Sequence, residues 1–225
     1  MLIRDWMSRE VTTVSRDTSM LKASKIFKDN DFRRLPVVDE DGRLIGIVTD
    51  RDIKDASPSK ATTLDVHELY YLLSEIKIKD IMTPNPYTIK IDDSLEKAAI
   101  RMLGKKVEGL PVVDDKNKVV GIITETDIFK ALVNITGAYQ GGIKIGLKIS
   151  SQEGSLKPVL DLLRSHGARV ISVLTSHDQA EQGFRHVYMR IQDMEKSKET
   201  FLQNEVNDNF NVLFWLRDNP KLTDQ

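Results

Sequence analysis

The stretch Leu35-Pro36-Val37-Val38-Asp39 and the stretch Gly46-Ile47-Val48-Thr49-Asp50-Arg51-Asp52-Ile53 decide the fold, because both occur twice in the chain. They return, at an offset of 75 residues, as Leu110-Pro111-Val112-Val113-Asp114 and as Gly121-Ile122-Ile123-Thr124-Glu125-Thr126-Asp127-Ile128. An internal repeat of this kind indicates one supersecondary unit that is used twice and packs on its own copy.

The repeat extends well beyond these motifs. Residues 3–53 align with residues 78–128 without a gap, and 18 of the 51 aligned positions are identical, where ordinary composition would give about 3. We therefore predict a first repeat over residues 1–56, a linker helix over 57–77 and a second repeat over 78–133.

The composition of the chain bounds its class. Among 225 residues, 40% are hydrophobic and 30% are charged, and the 33 basic residues nearly balance the 34 acidic ones. This balance excludes a disordered polyelectrolyte and gives no global reason to expect nucleic-acid binding. The absence of cysteine excludes disulfides and thiolate chemistry. Without a signal-peptide core or a long apolar run, the sequence predicts a soluble cytoplasmic protein that does not enter a membrane.

Each copy is predicted to fold as strand, helix, strand, strand, helix. In the first copy, Val11–Val14 is the first strand, and Ser19 has the side chain and position of a helix N-cap. The β-branched runs Leu35–Val38 and Arg43–Val48 form a hairpin, because Gly42 supplies the positive φ that a tight turn needs. The last helix is predicted to begin at Thr49.

The pattern Thr-x-x-Asp at the start of that helix has two interpretations. It is a capping box with Asp in place of Glu, in which Thr49 and Asp52 satisfy free backbone donors. Its recurrence at Thr124 and Asp127 also fits a ligand site, since a helix N-terminus favours an anion and an aspartate there can accept ribose hydroxyls.

These residues resemble the paired cystathionine-β-synthase-type repeats, also called CBS pairs or Bateman modules, over residues 1–133. The resemblance implies a pseudo-two-fold pair with two clefts that take AMP, ADP, ATP or S-adenosylmethionine. It implies that Asp52 and Asp127 hold the ribose and that Thr49 and Thr124 contact phosphate or ribose. It also implies that each cleft takes residues from the first strand of the opposite repeat, namely Ser8, Glu10 and Thr12 for one and Thr83, Asn85 and Tyr87 for the other.

The two clefts are predicted to differ in charge. Before the Leu-Pro-Val-Val strand the first copy has Arg33 and Arg34, whereas the second has Glu108 and Gly109. Arg51 similarly aligns with a threonine. Because arginine binds phosphate bidentately, we expect the cleft of the first copy to prefer phosphorylated adenosine and the other to take an uncharged tail or stay empty. The alternative is that the arginines are solvated surface charges.

The insert between the copies is predicted to contain a helix that starts at Thr62, because Ser57-Pro58-Ser59 breaks the chain before it. Its mostly apolar face could cap a cleft or pack on the domain edge; it consists of Leu64, His67, Leu69, Tyr70, Leu72 and Leu73. The four histidines show no ligand spacing, so neither a metal site nor a catalytic histidine is expected.

The last part of the chain follows a different plan. A glycine-rich linker is predicted over residues 134–142, and residues 143–219 follow the order βαββαβ of ferredoxin-like folds. With its strand-to-helix turn at Gly154 and Ser155, this segment resembles an ACT domain, although the usual Asp-x-Pro-Gly turn is absent. An amino-acid effector site at this turn and a ligand-free dimerisation module both remain open.

The fold class is therefore mixed α/β (α+β), a pseudo-two-fold CBS pair followed by a ferredoxin-like ACT-type domain. This combination resembles regulators of the acetoin-utilisation B type. The leading hypothesis is a homodimeric regulatory protein that senses an adenosyl nucleotide as its ligand and acts on an unidentified target protein. The alternative is a ligand-free oligomerisation scaffold. An enzyme is not expected, because the chain has no catalytic set, P-loop or dinucleotide fingerprint, and no basic helix favours nucleic acid.

Overall fold

The computed structural model describes residues 1–57 and 65–218. It divides the chain into two compact units, Met1–Ile128 and Phe129–Gln225. The predicted insert start at Thr62 and Leu64 lies outside the described residues.

The first copy has the predicted order of elements: β1 (Val14–Ser15), α1 (Met20–Asn30), β2 (Arg34–Val38), β3 (Leu44–Thr49) and α2 (Asp50–Ala56). The Oγ of Ser19 accepts a hydrogen bond from the N–H of Lys22, as an N-cap should, and Gly42 has a φ of 78° in the hairpin turn. The first strand is shorter than predicted and begins at Val14, because only Val14 and Ser15 pair with β2.

The second copy repeats this order after a short helix and strand of its own. Its elements are α4 (Ile78–Ile81), β4 (Thr83–Pro84), β5 (Ile89–Lys90), α5 (Leu95–Lys105), β6 (Gly109–Val113), β7 (Val119–Thr124) and α6 (Glu125–Ile135). The insert contributes α3 (Val66–Glu75), whose Leu73 packs against the buried cluster of the first copy. This contact is what the edge-packing alternative predicts for the insert helix.

Each copy completes the sheet of the other. β3 pairs with β4 through Ile47 and Thr83, and Ser8 forms the equivalent bridge with Ile122 in the second copy. Both pairs obey the 75-residue offset, since Ser8 corresponds to Thr83 and Ile47 corresponds to Ile122. The exchange of contacts is reciprocal, which is the relation that a pseudo-two-fold axis produces.

The exchanged segments approach the partner strands so closely that a side chain larger than that of glycine would displace its neighbours. A Cβ built on Gly46 would lie 2.5 Å from the Sδ of Met82, and one on Gly121 would lie 2.5 Å from the Sδ of Met7. These four residues are again related by the 75-residue offset. The recurring glycine of the motif is therefore a packing requirement of the paired fold.

The second unit is an antiparallel sheet with two helices. Its elements are β8 (Gly142–Ser150), α7 (Lys157–Ser165), β9 (Val170–Ser176), β10 (Phe184–Ile191), α8 (Lys196–Asn209) and β11 (Asn211–Asp218), and the strand order is β11-β8-β10-β9. The element order βαββαβ is the predicted one. Alternate residues of β8, from Ile143 to Ile149, pack with Val159, Leu163 and Leu202 of the helices in one buried cluster.

A buried arginine holds the segment that the sequence predicts as a linker. The side chain of Arg190 is only 5% exposed. It donates hydrogen bonds to the carbonyl oxygens of Thr136 and Gly141, both at 2.9 Å, and pairs with Asp218 at 2.8 Å. Residues 136–141 are thus attached to the second unit by specific contacts, beyond what their glycine content suggests.

We expect Gly46→Ala and Gly121→Ala each to lower the stability of the first unit by about 1–3 kcal/mol, because the added methyl group overlaps a methionine and the neighbouring backbone. Thermal or urea unfolding followed by circular dichroism measures the loss. Gly104→Ala is the matched control: nothing lies within 4 Å of its Cβ position in α5, so it should leave stability unchanged or raise it by up to about 1 kcal/mol. Equal effects at all three positions would contradict the packing argument.

Candidate functional site

A cavity of about 490 Å³ opens in the first unit between segments of both copies. Its walls are formed by residues that precede β2, by the start of α2, by the segment after α4 and by the turn before β6. The lining residues are Arg33, Arg34, Ile47, Thr49, Asp50, Arg51, Asp52, Thr83, Pro84, Asn85, Pro86, Tyr87, Lys106, Val107, Glu108 and Gly109.

The start of α2 carries the capping box that the sequence predicts. Oδ2 of Asp52 accepts hydrogen bonds from the N–H and from the Oγ1 of Thr49, both at 2.7 Å, and the N–H of Asp52 donates to Thr49 Oγ1 at 3.3 Å. Within the described residues, Oδ1 of Asp52 accepts no hydrogen bond. The cap therefore uses one carboxylate oxygen of Asp52 and leaves the other for a ligand.

The opposite wall comes from the segment that follows α4. This segment lines the cavity with Thr83, Asn85 and Tyr87. It lies there because β4 pairs with β3, the strand that ends at Thr49. Asn85 has a φ of 48°, and its N–H donates to the carbonyl oxygen of Ile45. The structure thus brings Thr83, Asn85 and Tyr87 together with Thr49, Arg51, Asp52, Arg33 and Arg34.

The residues at the start of β6 do not lie in the cleft that the sequence predicts for them. The sequence comparison assigns Arg33 and Arg34 to one cleft and Glu108 and Gly109 to the other, yet all four residues line the same cavity. Arg34 Nη2 lies 2.9 Å from Oε2 of Glu108. Both pairs lie at the starts of central strands, β2 and β6, so the contact between Arg34 and Glu108 brings equivalent positions of the two copies together. The charge contrast between two separate clefts is therefore wrong as stated.

The charges in the cavity are mixed. Four lining side chains are basic, and three are acidic. Burial lowers the pKa of the Arg34 guanidinium, and the carboxylate of Glu108 opposes this effect. The sequence analysis missed Lys106, a further basic residue of the cavity. It corresponds to Asp31 of the first copy, and both residues have a left-handed backbone conformation at the end of a helix.

Apart from Glu108 and Gly109, the residues predicted for the other cleft are not among those that line this cavity. Thr124 repeats the capping contacts: its N–H and Oγ1 donate to Oδ2 of Asp127 at 2.9 and 2.7 Å. Ser8 exchanges two backbone hydrogen bonds with Ile122, both at 3.0 Å, which places it beside β7. Glu10 and Thr12 are exposed, and among the described residues no hydrogen bond joins Thr12 to Thr124 or Asp127.

An arginine of β10 contacts the turn between β8 and α7, where the sequence suggests an effector site, and sequence reasoning did not identify it. Gly154 has a φ of 77°, and Ser155 Oγ donates to the carbonyl oxygen of Ser150 at 2.6 Å. Arg185 Nη2 donates to Ser155 Oγ at 3.1 Å, while its Nε is buried without a partner among the described residues. In the sequence, the only indication for Arg185 is its position in the alternating pattern of β10. Its contact with this turn depends on the register in which β10 pairs with β8.

Within residues 1–57 and 65–218, no group of three or more histidine, aspartate or glutamate side chains could hold a metal ion. No helix in that part of the chain is long and apolar enough to cross a membrane.

Comparison with known proteins identifies the family. The family model for the CBS domain matches residues 3–59 and 78–134, just over half of the chain. The chain therefore belongs to the CBS-domain family and contains a tandem CBS pair. A CBS domain-containing protein of Dictyostelium discoideum is 36% identical over 134 residues, which are 60% of this chain and 92% of that protein.

Solved CBS pairs have the same fold. The CBS domain pair of protein MJ0100 in complex with 5′-methylthioadenosine and S-adenosyl-L-methionine is 33% identical with a TM-score of 0.50, covering 60% of this chain and 97% of that one. CBSX2 of Arabidopsis thaliana in complex with AMP is 28% identical with a TM-score of 0.52, covering 60% and 97%. A candidate acetoin utilization protein of Vibrio cholerae is 28% identical with a TM-score of 0.50, covering 60% and 91%.

Some relatives carry enzyme names but share only a small part of their length with this chain. L-aspartate semialdehyde sulfurtransferase of Methanocaldococcus jannaschii is 35% identical over 127 residues, which are 22% of that enzyme. The similarity is thus to the CBS pair that such proteins contain.

Proposed function

We propose that this chain is a regulatory protein that binds adenosine-containing nucleotides in its CBS pair. The observation that carries the proposal is the cavity in which Thr49 and Asp52 of one repeat face Thr83 and Tyr87 of the other. CBS pairs with this fold have been solved with AMP and with S-adenosylmethionine and methylthioadenosine. The likeness to the Vibrio cholerae protein supports a regulator of the acetoin-utilisation type.

The side chains of the cavity have distinct proposed roles. Oδ1 of Asp52 accepts the ribose hydroxyls, while Thr49 contacts ribose or phosphate. Arg33 and Arg51 have no carboxylate within ion-pair distance among the described residues and are available for phosphate, which favours a phosphorylated adenosine.

We expect Asp52→Ala to lower the affinity for AMP or ATP by about tenfold or more, because a charged hydrogen-bond acceptor for ribose is removed. Isothermal titration calorimetry with AMP, ADP, ATP and S-adenosylmethionine measures this change. Asp127→Ala is the matched control, since it removes the corresponding hydrogen bonds from Thr124 at the start of α6 and should leave the affinity unchanged.

Two results would contradict the proposal. If Asp127→Ala abolished binding and Asp52→Ala did not, the assigned cleft would be wrong. If none of the four adenosyl compounds bound at millimolar concentration, the ligand-free scaffold would be the better description. Turnover of a bound nucleotide would instead revive the enzyme hypothesis.

A second function is proposed for the second unit. Its βαββαβ order and its strand order support an ACT-like, ferredoxin-like domain with an amino-acid effector site at Gly154 and Ser155. The specific observation is Arg185, whose guanidinium contacts Ser155 and retains an unpartnered buried Nε. A guanidinium at this place suits the carboxylate of an amino acid.

Branched amino acids at millimolar concentration should raise the melting temperature of the second unit by a few degrees, since ligand binding to the folded state stabilises it. Differential scanning fluorimetry measures the shift. Arg185→Met should abolish it, whereas Arg164→Met, at an exposed arginine of α7, should preserve it. The absence of any shift in the unaltered protein would favour the dimerisation module without a ligand.

We further propose that the chain is a homodimer. Two helices carry large exposed apolar side chains: Ile100 and Leu103 on α5 are 71% and 78% exposed, and Phe129 and Leu132 on α6 are 63% and 53% exposed. Apolar side chains at such positions commonly mark a protein interface.

In sedimentation equilibrium at micromolar concentration the unaltered protein should have twice its chain mass of 25.6 kDa, and Leu103→Glu should shift it toward the monomer because a charge in an apolar contact is costly. Glu96→Lys, an exposed charge change on the same helix, should leave the mass unchanged. A monomer before any substitution would contradict the proposal.

A further inference from the structure

We propose that the Arg34–Glu108 ion pair is a latch between the two repeats, which a nucleotide phosphate opens by replacing the Glu108 carboxylate on Arg34. This inference rests on the proposed binding of nucleotides in the cavity. It adds a mechanism by which occupancy of the cavity changes a contact between the repeats.

The Arg34–Glu108 ion pair breaks the pseudo-two-fold symmetry of the two repeats. Arg4–Asp92 at 3.2 Å and Lys79–Asp17 at 3.0 Å are also ion pairs between the copies. They are equivalent under the 75-residue offset and so belong to the architecture that both halves share. The equivalents of Arg34 and Glu108 are Gly109 and Arg33, which form no such pair. The Arg34–Glu108 contact therefore occurs only once, and it lies in the cavity.

The two partners of the ion pair, Arg34 and Glu108, are unequally buried. The side chain of Arg34 is 11% exposed, whereas that of Glu108 is 52% exposed. Returning a half-exposed carboxylate to water costs little, but leaving a buried guanidinium without an anion costs much more. The mobile partner of the pair is thus Glu108, and Arg34 stays in place to receive another anion.

The absence of a side chain at Gly109 leaves space for the guanidinium of Arg34. A Cβ on Gly109 would lie 2.3 Å from Nη1 and 3.1 Å from Cδ of Arg34. The guanidinium can lie against β6 only because residue 109 has no side chain. Gly109 is therefore a positioning residue for Arg34.

A phosphate group competes well with the Glu108 carboxylate for Arg34. A phosphate group has several acceptor oxygens and can bind a guanidinium bidentately, whereas Glu108 makes one hydrogen bond to Arg34. Arg33, Arg51 and Lys106 line the same cavity and attract a phosphate, which carries up to two negative charges, more strongly than the single charge of Glu108. A nucleotide phosphate can therefore displace the carboxylate, and adenosine without phosphate leaves the pair closed.

The test compares the affinities of AMP, ATP and adenosine for the full chain by calorimetry. Glu108→Gln removes the competing charge and should strengthen binding of AMP and ATP by about tenfold, without changing the affinity for adenosine. Glu108→Asp separates the latch from a general charge effect. It keeps the negative charge but is one methylene shorter, so it should also strengthen AMP and ATP binding if contact with Arg34 is what competes.

Gly109→Ala gives a second, independent variant. It should weaken AMP and ATP binding by about tenfold through displacement of Arg34, while adenosine binds as before and circular dichroism shows an unchanged fold. If AMP and ATP bind the unaltered protein and bind both Glu108 variants with that same, unchanged affinity, the latch is wrong and the proposed function stands. If the unaltered protein binds neither AMP nor ATP, the latch is wrong, and the proposed function is wrong as well if ADP and S-adenosylmethionine also fail to bind.

Discussion

The fold of the first unit depends on the exchange of backbone pairing between its two repeats. Neither β3 nor β7 is paired along both edges by its own copy; Thr83 pairs with Ile47 and Ser8 pairs with Ile122 to complete them. This pairing satisfies backbone groups at the otherwise open edges of β3 and β7 within the chain. The same exchange carries the segment ending at Tyr87 to the start of α2, so the cavity is a direct product of the pairing that holds the repeats together.

Much of this arrangement could be read from local sequence signals. Ser19 and Thr49 have the side chains and positions of helix caps, and Gly42 marks the hairpin turn, so most elements were predicted close to their observed bounds. These signals act within a few residues and need no knowledge of the rest of the chain. The predicted strand at Val11–Val14 was displaced because its extent depends on a distant partner, β2, which pairs only from Val14.

The errors and omissions concern contacts between segments that are remote in sequence. Alignment of the copies treats Arg34 and Glu108 as members of separate sites, whereas a symmetry axis brings equivalent segments face to face. Arg185 reaches Ser155 only through the register of two strands. Residue type showed which side chains could bind an anion, but their grouping depends on tertiary geometry that single-sequence reasoning does not contain.

Arg190 has a consequence for how the chain can be divided experimentally. Its guanidinium is bound by two carbonyl groups that precede β8 and by a carboxylate at the end of β11. A fragment cut at residue 143, where the strand pattern begins, would remove both carbonyl acceptors and leave a buried cation with only one partner. A fragment that keeps all the hydrogen bonds of Arg190 therefore starts before Thr136 and extends through Asp218, and a shorter fragment loses stability for reasons unrelated to its function.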